Sequence, residues 1–329
     1  MVLNGIRIFR IEFSVAKIII IFLISAVVIA IPNIAHSQPI PYIPNTENIN
    51  ITTNKAVVLT SDDAYKSQYT NAKPILDKYG YKATFYIVCN YVENNGRLKW
   101  EDITSLYKEG HDIGSHTMNH DDLSQTSKKE TSYEISESKQ CLLNHGINAT
   151  SFAYPFNGGT DEAAVVNTVA KYYDTARSAR SASEPIMYLH CDGFKEEELS
   201  QTDCRTFSDD GDDADDDAEP TFANRYSIMG WSHDADRSKN SYDDSEMLDR
   251  FIEVVNIPSI YNTNGTINAI PIIIWHRIDN SGVGDPEAYA TTIDLFEKEI
   301  KYLHDNGFEV LTMADLGYDE NSNYLYIKK

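Results

Sequence analysis

Two aspartates, Asp62 and Asp63, close the apolar run Leu59-Thr60-Ser61-Asp62-Asp63, and two histidines follow in Gly114-Ser115-His116-Thr117-Met118-Asn119-His120. One carboxylate and two imidazoles make a three-ligand set for a divalent ion with a position left open for water, and the second carboxylate is a base beside it. That is the inventory of metal-assisted hydrolysis. The turn at the end of a strand lets neighbouring Asp62 and Asp63 diverge, one toward a metal and one toward its water. A spacing of four on a helical turn brings the rings of His116 and His120 to one face. Each feature alone is weak, since Asp-Asp pairs cap many turns and surface histidines often fall four apart.

The elements that must position these groups alternate along the chain. Residues 56–60 are β-branched and read as a buried strand, 73–79 as a helix ended by Gly80, and 83–88 as the next strand. A helix over 101–108 closes at Gly110, and 112–115 is a short strand running into the histidines. Ser127 and Glu130 form a capping box for a helix to about Asn144. A strand over 151–154 stops at Pro155, residues 162–172 are helical, and 174–177 are extended. After an irregular stretch come a helix over 245–255, a strand over 270–275 that delivers His276, a helix over 291–305 and a last strand over 308–312. Strand and helix alternate with no run of hairpin signals, which predicts a parallel sheet with crossover helices. In such folds chemistry gathers where strands end at their carboxyl edge, and Asp62-Asp63, His116–His120, Pro155-Phe156 and His276 all fall there.

Composition limits the partners. The formal net charge is −22, and with three basic and one acidic side chain in residues 1–37 the remainder is near −24. Such a chain is repelled by phosphate backbones, which excludes nucleic acid as a partner. Thirteen acidic and two basic residues lie between Cys191 and Pro220, so 192–219 reads as a solvated acidic insertion; its spacing is not that of an EF-hand loop. Arg7, Arg10 and Lys17 precede the apolar run Ile18–Ile31, and Ala35-His36-Ser37 offers small residues for cleavage before Gln38. Residues 1–37 are read as a signal peptide, with an uncleaved N-terminal anchor as the second choice. Residues 38–54 then form a linker and 55–329 the catalytic domain, secreted or on the outer face of the cell envelope. Any membrane contact runs through that segment. The four cysteines allow three pairings. Cys191–Cys204 across the acidic segment is favoured, and Cys89 and Cys141 are left open as a pair or as buried thiols. Asn50, Asn148 and Asn264 lie in glycosylation tripeptides, meaningful only in a host with the machinery.

The motifs resemble those of the polysaccharide deacetylases, the NodB-homology domain of the family-four carbohydrate esterases. The family's Thr-Phe-Asp-Asp-Gly is similar to Thr60-Ser61-Asp62-Asp63-Ala64, and its His-Ser/Thr-x-x-His to His116–His120, with the lead-in Gly110-His111-Asp112-Ile113-Gly114. Its Arg-x-Pro-Tyr/Phe followed by Gly resembles Ala153-Tyr154-Pro155-Phe156-Asn157-Gly158, and its Leu-x-His resembles Ile274-Trp275-His276. The resemblance runs from about Val57 to Leu316 in the family's order. It implies an α/β fold, a distorted (β/α) barrel carrying the acidic insertion. It implies that Asp63, His116 and His120 hold Zn²⁺, Co²⁺ or another divalent metal, and that Asp62 is the general base. The backbone N–H of Phe156 is then the oxyanion donor and His276 the acid for the leaving amine. Asp234 and Trp231, in Trp231-Ser232-His233-Asp234, are assigned to tuning His276 and to lining the substrate groove, and Tyr154 to substrate binding.

Three departures stand out. Ser61 replaces the family's aromatic residue and Ala64 its Gly. Ala153 sits where many members carry an Arg that restrains the base, so another cation is required, with Arg177 and Arg277 as candidates. His111, His145, His190, His233 and His304 are read as surface or structural. The function expected is metal-dependent hydrolysis of N-acetyl groups, ahead of O-acetyl groups, on an acetylated extracellular or envelope glycan. Two alternatives are a related cyclic-amide or deformylase activity and a glycan-binding envelope protein that kept the fold but lost turnover. A third is an acidic, calcium-responsive surface protein in which residues 192–219 matter most.

Overall fold

The computed structural model of the chain describes residues 54–180, 187–189, 224–262, 266–281, 289–319 and 324–328. The expected leader or anchor, the linker up to residue 53, the acidic insertion, the Cys191–Cys204 bridge, and Asn50 and Asn264 lie outside the described residues.

Seven parallel strands close into a ring: β1 (Ala56–Ser61), β2 (Thr84–Ile87), β3 (Asp112–Ser115), β4 (Ser151–Ala153), β5 (Thr175–Arg180), β6 (Ile228–Ser232) and β7 (Ile272–Trp275). Closure is made where Val58, Leu59, Thr60 and Ser61 pair with Ile272, Ile273, Ile274 and Trp275. An eighth strand, β8 (Glu309–Leu311), enters as a wedge. Val58 pairs with Ile272 on one side and Leu311 on the other, while Thr60 and Ser61 pair with Thr84 and Phe85. Strands β8 and β2 therefore share one edge of β1, and this is the distortion of the barrel.

The crossovers are helical. A π-helical turn, Gln68–Ala72, leads into α1 (Lys73–Lys78); α2 (Trp100–Lys108), α3 (Lys128–Asn144) and α4 (Ala163–Ala170) follow β2, β3 and β4. Next come α5 (His233–Asn240), α6 (Asp244–Asn256) and α7 (Ile293–Asp305). The Ser127–Glu130 capping box is present as read. Among the described residues no helix is long and apolar enough to cross a membrane.

The period-2 alternation of the strands explains which residues reach the site. Val57, Leu59, Phe85, Ile87, Ile113, Phe152, Ala176, Trp231, Ile273 and Trp275 pack in one cluster with helix residues such as Ile103, Ile135, Val166 and Phe251. Val58, Tyr86, Ala153, Ile228 and Ile272 belong to a second cluster that holds no α-helical residue. Counting by twos from the second set, Asp62, His116, Arg177 and His276 all fall on the inward register. Gly114 belongs there too, because a Cβ would stand 2.3 Å from the Tyr86 ring.

One expectation is corrected, two features went unread and one open pairing is decided. The strand read over 270–275 is two, because Pro271 has no N–H for a ladder: Ala269–Ile270 pairs antiparallel with Met187–Tyr188, and only Ile272 onward joins the barrel. A C-terminal antiparallel pair, β9 (Leu316–Asp319) with β10 (Tyr324–Ile327), was not read from the sequence. Strand β6 and helix α5 were unread because Gly230, Ser232 and the polar run after them carry neither periodicity. Finally, Cys89 and Cys141 are joined by a disulfide. Their separation of 52 residues corresponds to about 4 kcal/mol in the chain-entropy account.

Candidate metal centre and acid–base site

Backbone strain is concentrated at the carboxyl ends of three strands. Positive φ is taken by Asp63 (72°) and Ala64 (55°) after β1, Thr117 (70°) and His120 (66°) after β3, and Phe156 (53°) and Asn157 (63°) after β4. The left-handed region costs a non-glycine residue about 1–2 kcal/mol, so these turns need external support. Arg97 Nη1 donates to the Asp63 carbonyl at 2.6 Å, and Leu98 N–H to the Ala64 carbonyl at 2.7 Å. The buried Glu134 carboxylate accepts from the N–H groups of Met118 (3.0 Å) and Asn119 (2.8 Å). The Asn157 side chain bridges to both the N–H and the carbonyl of Ala179. The sharp turns re-aim their side chains into one space.

Asp63, His116 and His120 meet there, with one potential ligand atom from each within 4.8 Å of the others. Asp63 Oδ1 lies 3.2 Å from His120 Nε2 and 3.6 Å from His116 Nε2. A tetrahedral ion with ligand bonds of about 2.0–2.2 Å sets its ligands roughly 3.3–3.6 Å apart, so this spacing fits one ion. Asp63 Oδ1 is also buried and has no aligned hydrogen-bond donor among the described residues. His116 Nδ1–H donates to the Ala153 carbonyl at 2.8 Å, which turns Nε2 toward the centre. Burial pushes the His116 imidazole down to about 4; the charges of Asp62 and Asp63 oppose it and the cationic form of His120 adds to it. Burial opposes ionisation of Asp63, but the surrounding imidazoles, His120 first, hold its carboxyl well below the usual range. Both side chains are thus in ligating forms near neutrality, a carboxylate and a neutral ring.

Asp62 is buried beside this group, its Oδ2 3.9 Å from His116 Nε2. Arg177 of β5 reaches across the barrel and sets Nη2 2.6 Å from both oxygens of Asp62. The guanidinium is itself fully buried and lies over the Tyr86 ring, 4.8 Å from its centroid. Of the two candidate cations, Arg177 is therefore the one that Ala153 leaves room for; Arg277 pairs with Asp279 at 3.1 Å.

His276 stands one residue past the Ser61–Trp275 pair, beside Asp62. Asp234, fully buried in the first turn of α5, takes its Nδ1–H at 2.9 Å and its backbone N–H at 2.7 Å. Burial alone would favour the neutral ring. The charge and hydrogen bond of Asp234, helped by Asp63 and Asp62, outweigh it and raise the imidazole to about 10.

Two assignments are corrected. Trp231 does not line a groove: it is fully buried, on the helix-facing register of β6, and donates to Asp236. Tyr154 is likewise buried, its hydroxyl spent on the Tyr226 carbonyl. The exposed aromatic at this end is the side chain of Phe156, 69% exposed, its ring 4.6 Å from that of His120 in an edge arrangement. Tyr289, also exposed, stands tilted against His276, with ring centroids 5.3 Å apart. The sequence reading missed both rings, together with Glu134 and Gln68. For Glu134 the signal was available, an acid on the buried stripe of α3 with no basic neighbour at helical spacing.

Residues 50–174 match the family model described as polysaccharide deacetylase. A gellan lyase of Bacillus sp. is 31% identical over 132 residues, 40% of this chain and 5% of the relative. A putative polysaccharide deacetylase of Bacillus subtilis is 29% identical over 140 residues, 41% of this chain and 50% of the relative. A peptidoglycan-N-acetylglucosamine deacetylase of Listeria monocytogenes is 28% identical over 123 residues, 36% of this chain and 24% of the relative. The chain thus spans half or less of each of these relatives. Residues 50–174 are thus similar to the polysaccharide deacetylase family, on a closed parallel barrel that carries the motifs in the family's order.

Proposed function

We propose that this chain hydrolyses N-acetyl groups on a polymer containing N-acetylglucosamine, outside the cytoplasm, with a divalent ion held by Asp63, His116 and His120. The observation that carries the reading is the orphaned Asp63 Oδ1 facing two imidazoles, with a second carboxylate pinned by Arg177 alongside. The name of the Listeria relative supports the choice of sugar.

A divalent ion in that site would supply Lewis acidity toward water and the acyl oxygen. Asp62 accepts the proton of the attacking water, and Arg177 keeps the carboxylate aimed. The backbone N–H of Phe156 donates to the acyl oxygen as negative charge grows on it. His276 gives its proton to the departing nitrogen while Asp234 holds the ring, so the C–N bond breaks to a neutral amine rather than an amide anion. The two groups act in opposite directions because one is a carboxylate against an arginine and the other an imidazolium against a carboxylate.

The test is acetate release from N-acetylglucosamine oligomers across the pH range. Release is expected to persist above the ordinary histidine value of 6.5, because Asp234 keeps His276 protonated toward about 10. Positive charge bound at Asp63 lowers that upper value, so the alkaline fall lies between the two. The same pair contributes stability that is complete below 6.5 and lost as the pH rises through about 10. An absence of acetate release from any N-acetylated glycan, with a loaded site, would end the proposal.

A further inference from the structure

Gln68 is fully buried, yet nothing in the reaction above uses it. Its Nε2 donates to two backbone carbonyls on different strands, that of Asp62 and, at 2.9 Å, that of His276. These two residues face each other one step past Ser61–Trp275, and the last ladder bond between the strands is Asp62 N–H to Trp275 C=O at 2.9 Å. Beyond it Asp63 turns into the left-handed region, so β1 cannot supply another rung. The amide of Gln68 takes the place of that rung.

The segment around it is built for the same contact. Ser67 Oγ accepts from Ile278 N–H at 3.1 Å, and Asn71 Nδ2 donates to the Ile278 carbonyl at 2.7 Å. Three side chains of Ser67–Asn71 thus hold the exit of β7, and residues 68–72 do so in a π-helical turn, a rare conformation found mostly at functional sites. Gln68 Oε1 is buried without a partner, so the amide is not kept for the sake of its own full satisfaction.

We infer that Gln68 is a positioning residue: its amide fixes the separation of the Asp62 carboxylate from the His276 imidazole across the reacting bond. The inference rests on the function proposed above. Both bonds donated by the Gln68 amide go to the backbone carbonyls of Asp62 and His276, so it acts on the spacing of base and acid. A misplacement of about 1 Å between reacting groups can cost a factor of roughly 10² in rate.

The experiment compares Gln68→Met, Gln68→Asn and Thr60→Val in the zinc-loaded full chain, acting on an N-acetylglucosamine oligomer. Thr60 makes the matched control, since its hydroxyl also links β1 to β7, through the Ile273 carbonyl at 2.9 Å, without bonding the backbone of base or acid. Gln68→Met removes both donated bonds at similar volume, and Gln68→Asn keeps an amide too short to span both carbonyls. Both Gln68 variants should lower kcat by about 10- to 100-fold with KM and zinc content unchanged. Thr60→Val should lose melting temperature but keep kcat within about 2-fold, as the loss of a hydrogen bond made by neither base nor acid requires. If Gln68→Met does not fold, Gln68→Asn decides. Folded Gln68 variants with wild-type kcat, or a kcat loss matched by Thr60→Val, overturn the inference. A wild-type chain that releases no acetate instead refutes the parent reading, and this one with it.

Discussion

Asp62→Asn is expected to take up its metal as the wild type does and to lose about 10³ in kcat, within the range of roughly 10² to 10⁴ found for removal of a positioned base. The amide is the same shape as the carboxylate but cannot accept the proton of water. Asp63, His116 and His120 are untouched, and Asp62 Oδ2 is 3.9 Å from His116 Nε2. KM should move little, because the interaction lost is one made only as the water attacks. Single-turnover rates and zinc content by elemental analysis check both halves. A variant that keeps full rate would remove Asp62 from the mechanism; one that loses its zinc would make it a ligand.

Arg177→Met should cost about 3–5 kcal/mol of folding free energy, the range for removing one partner of a buried ion pair. The carboxylate left behind is 4% exposed, and the lost guanidinium donated to both of its oxygens. Activity should fall as well, since the base is no longer aimed. The double variant Asp62→Asn/Arg177→Met is expected to recover much of the stability lost by Arg177→Met alone, because no uncompensated charge remains buried. Chemical denaturation of the two single variants and the double one measures the coupling. Additive losses would mean that the pair is not a unit. The pairing also answers the departure at Ala153: the arginine that restrains the base comes from β5 rather than from the end of β4.

That Asp62, Asp63, His116, His120 and His276 gather in one place was legible because the signals are local: a strand end, a spacing of four, and a histidine delivered by an apolar strand. The alternation of strands and helices predicted the parallel sheet in the same way, and the family resemblance its closure into a barrel. Residues whose role depends on closure of the ring were harder to read. Arg177 reaches Asp62 only because β5 faces β1 across the interior, and the sequence left it level with Arg277. Trp231 and Tyr154 were read as groove residues from their proximity to motifs, while register turned Trp231 into the helix-facing core and a hydroxyl bond to Tyr226 held Tyr154 inside. Asp234 was assigned to His276 from a loose Asp-and-Trp pattern, and in the structure its carboxylate does hold that ring. The Gln68 turn has no signal in propensity, since π-helical geometry follows from tertiary contacts. Among the cysteines, composition alone could not choose between Cys89–Cys141 and a pair of buried thiols.

The claim beneath all of this is that Asp63, His116 and His120 hold one cation together. Calorimetric titration of Zn²⁺ into metal-free chain tests it most directly. Binding of a single ion per chain is expected, retained in Asp62→Asn and lost in a folded His116→Ala. Undiminished binding in His116→Ala, or no stoichiometric binding in the wild type, would contradict it.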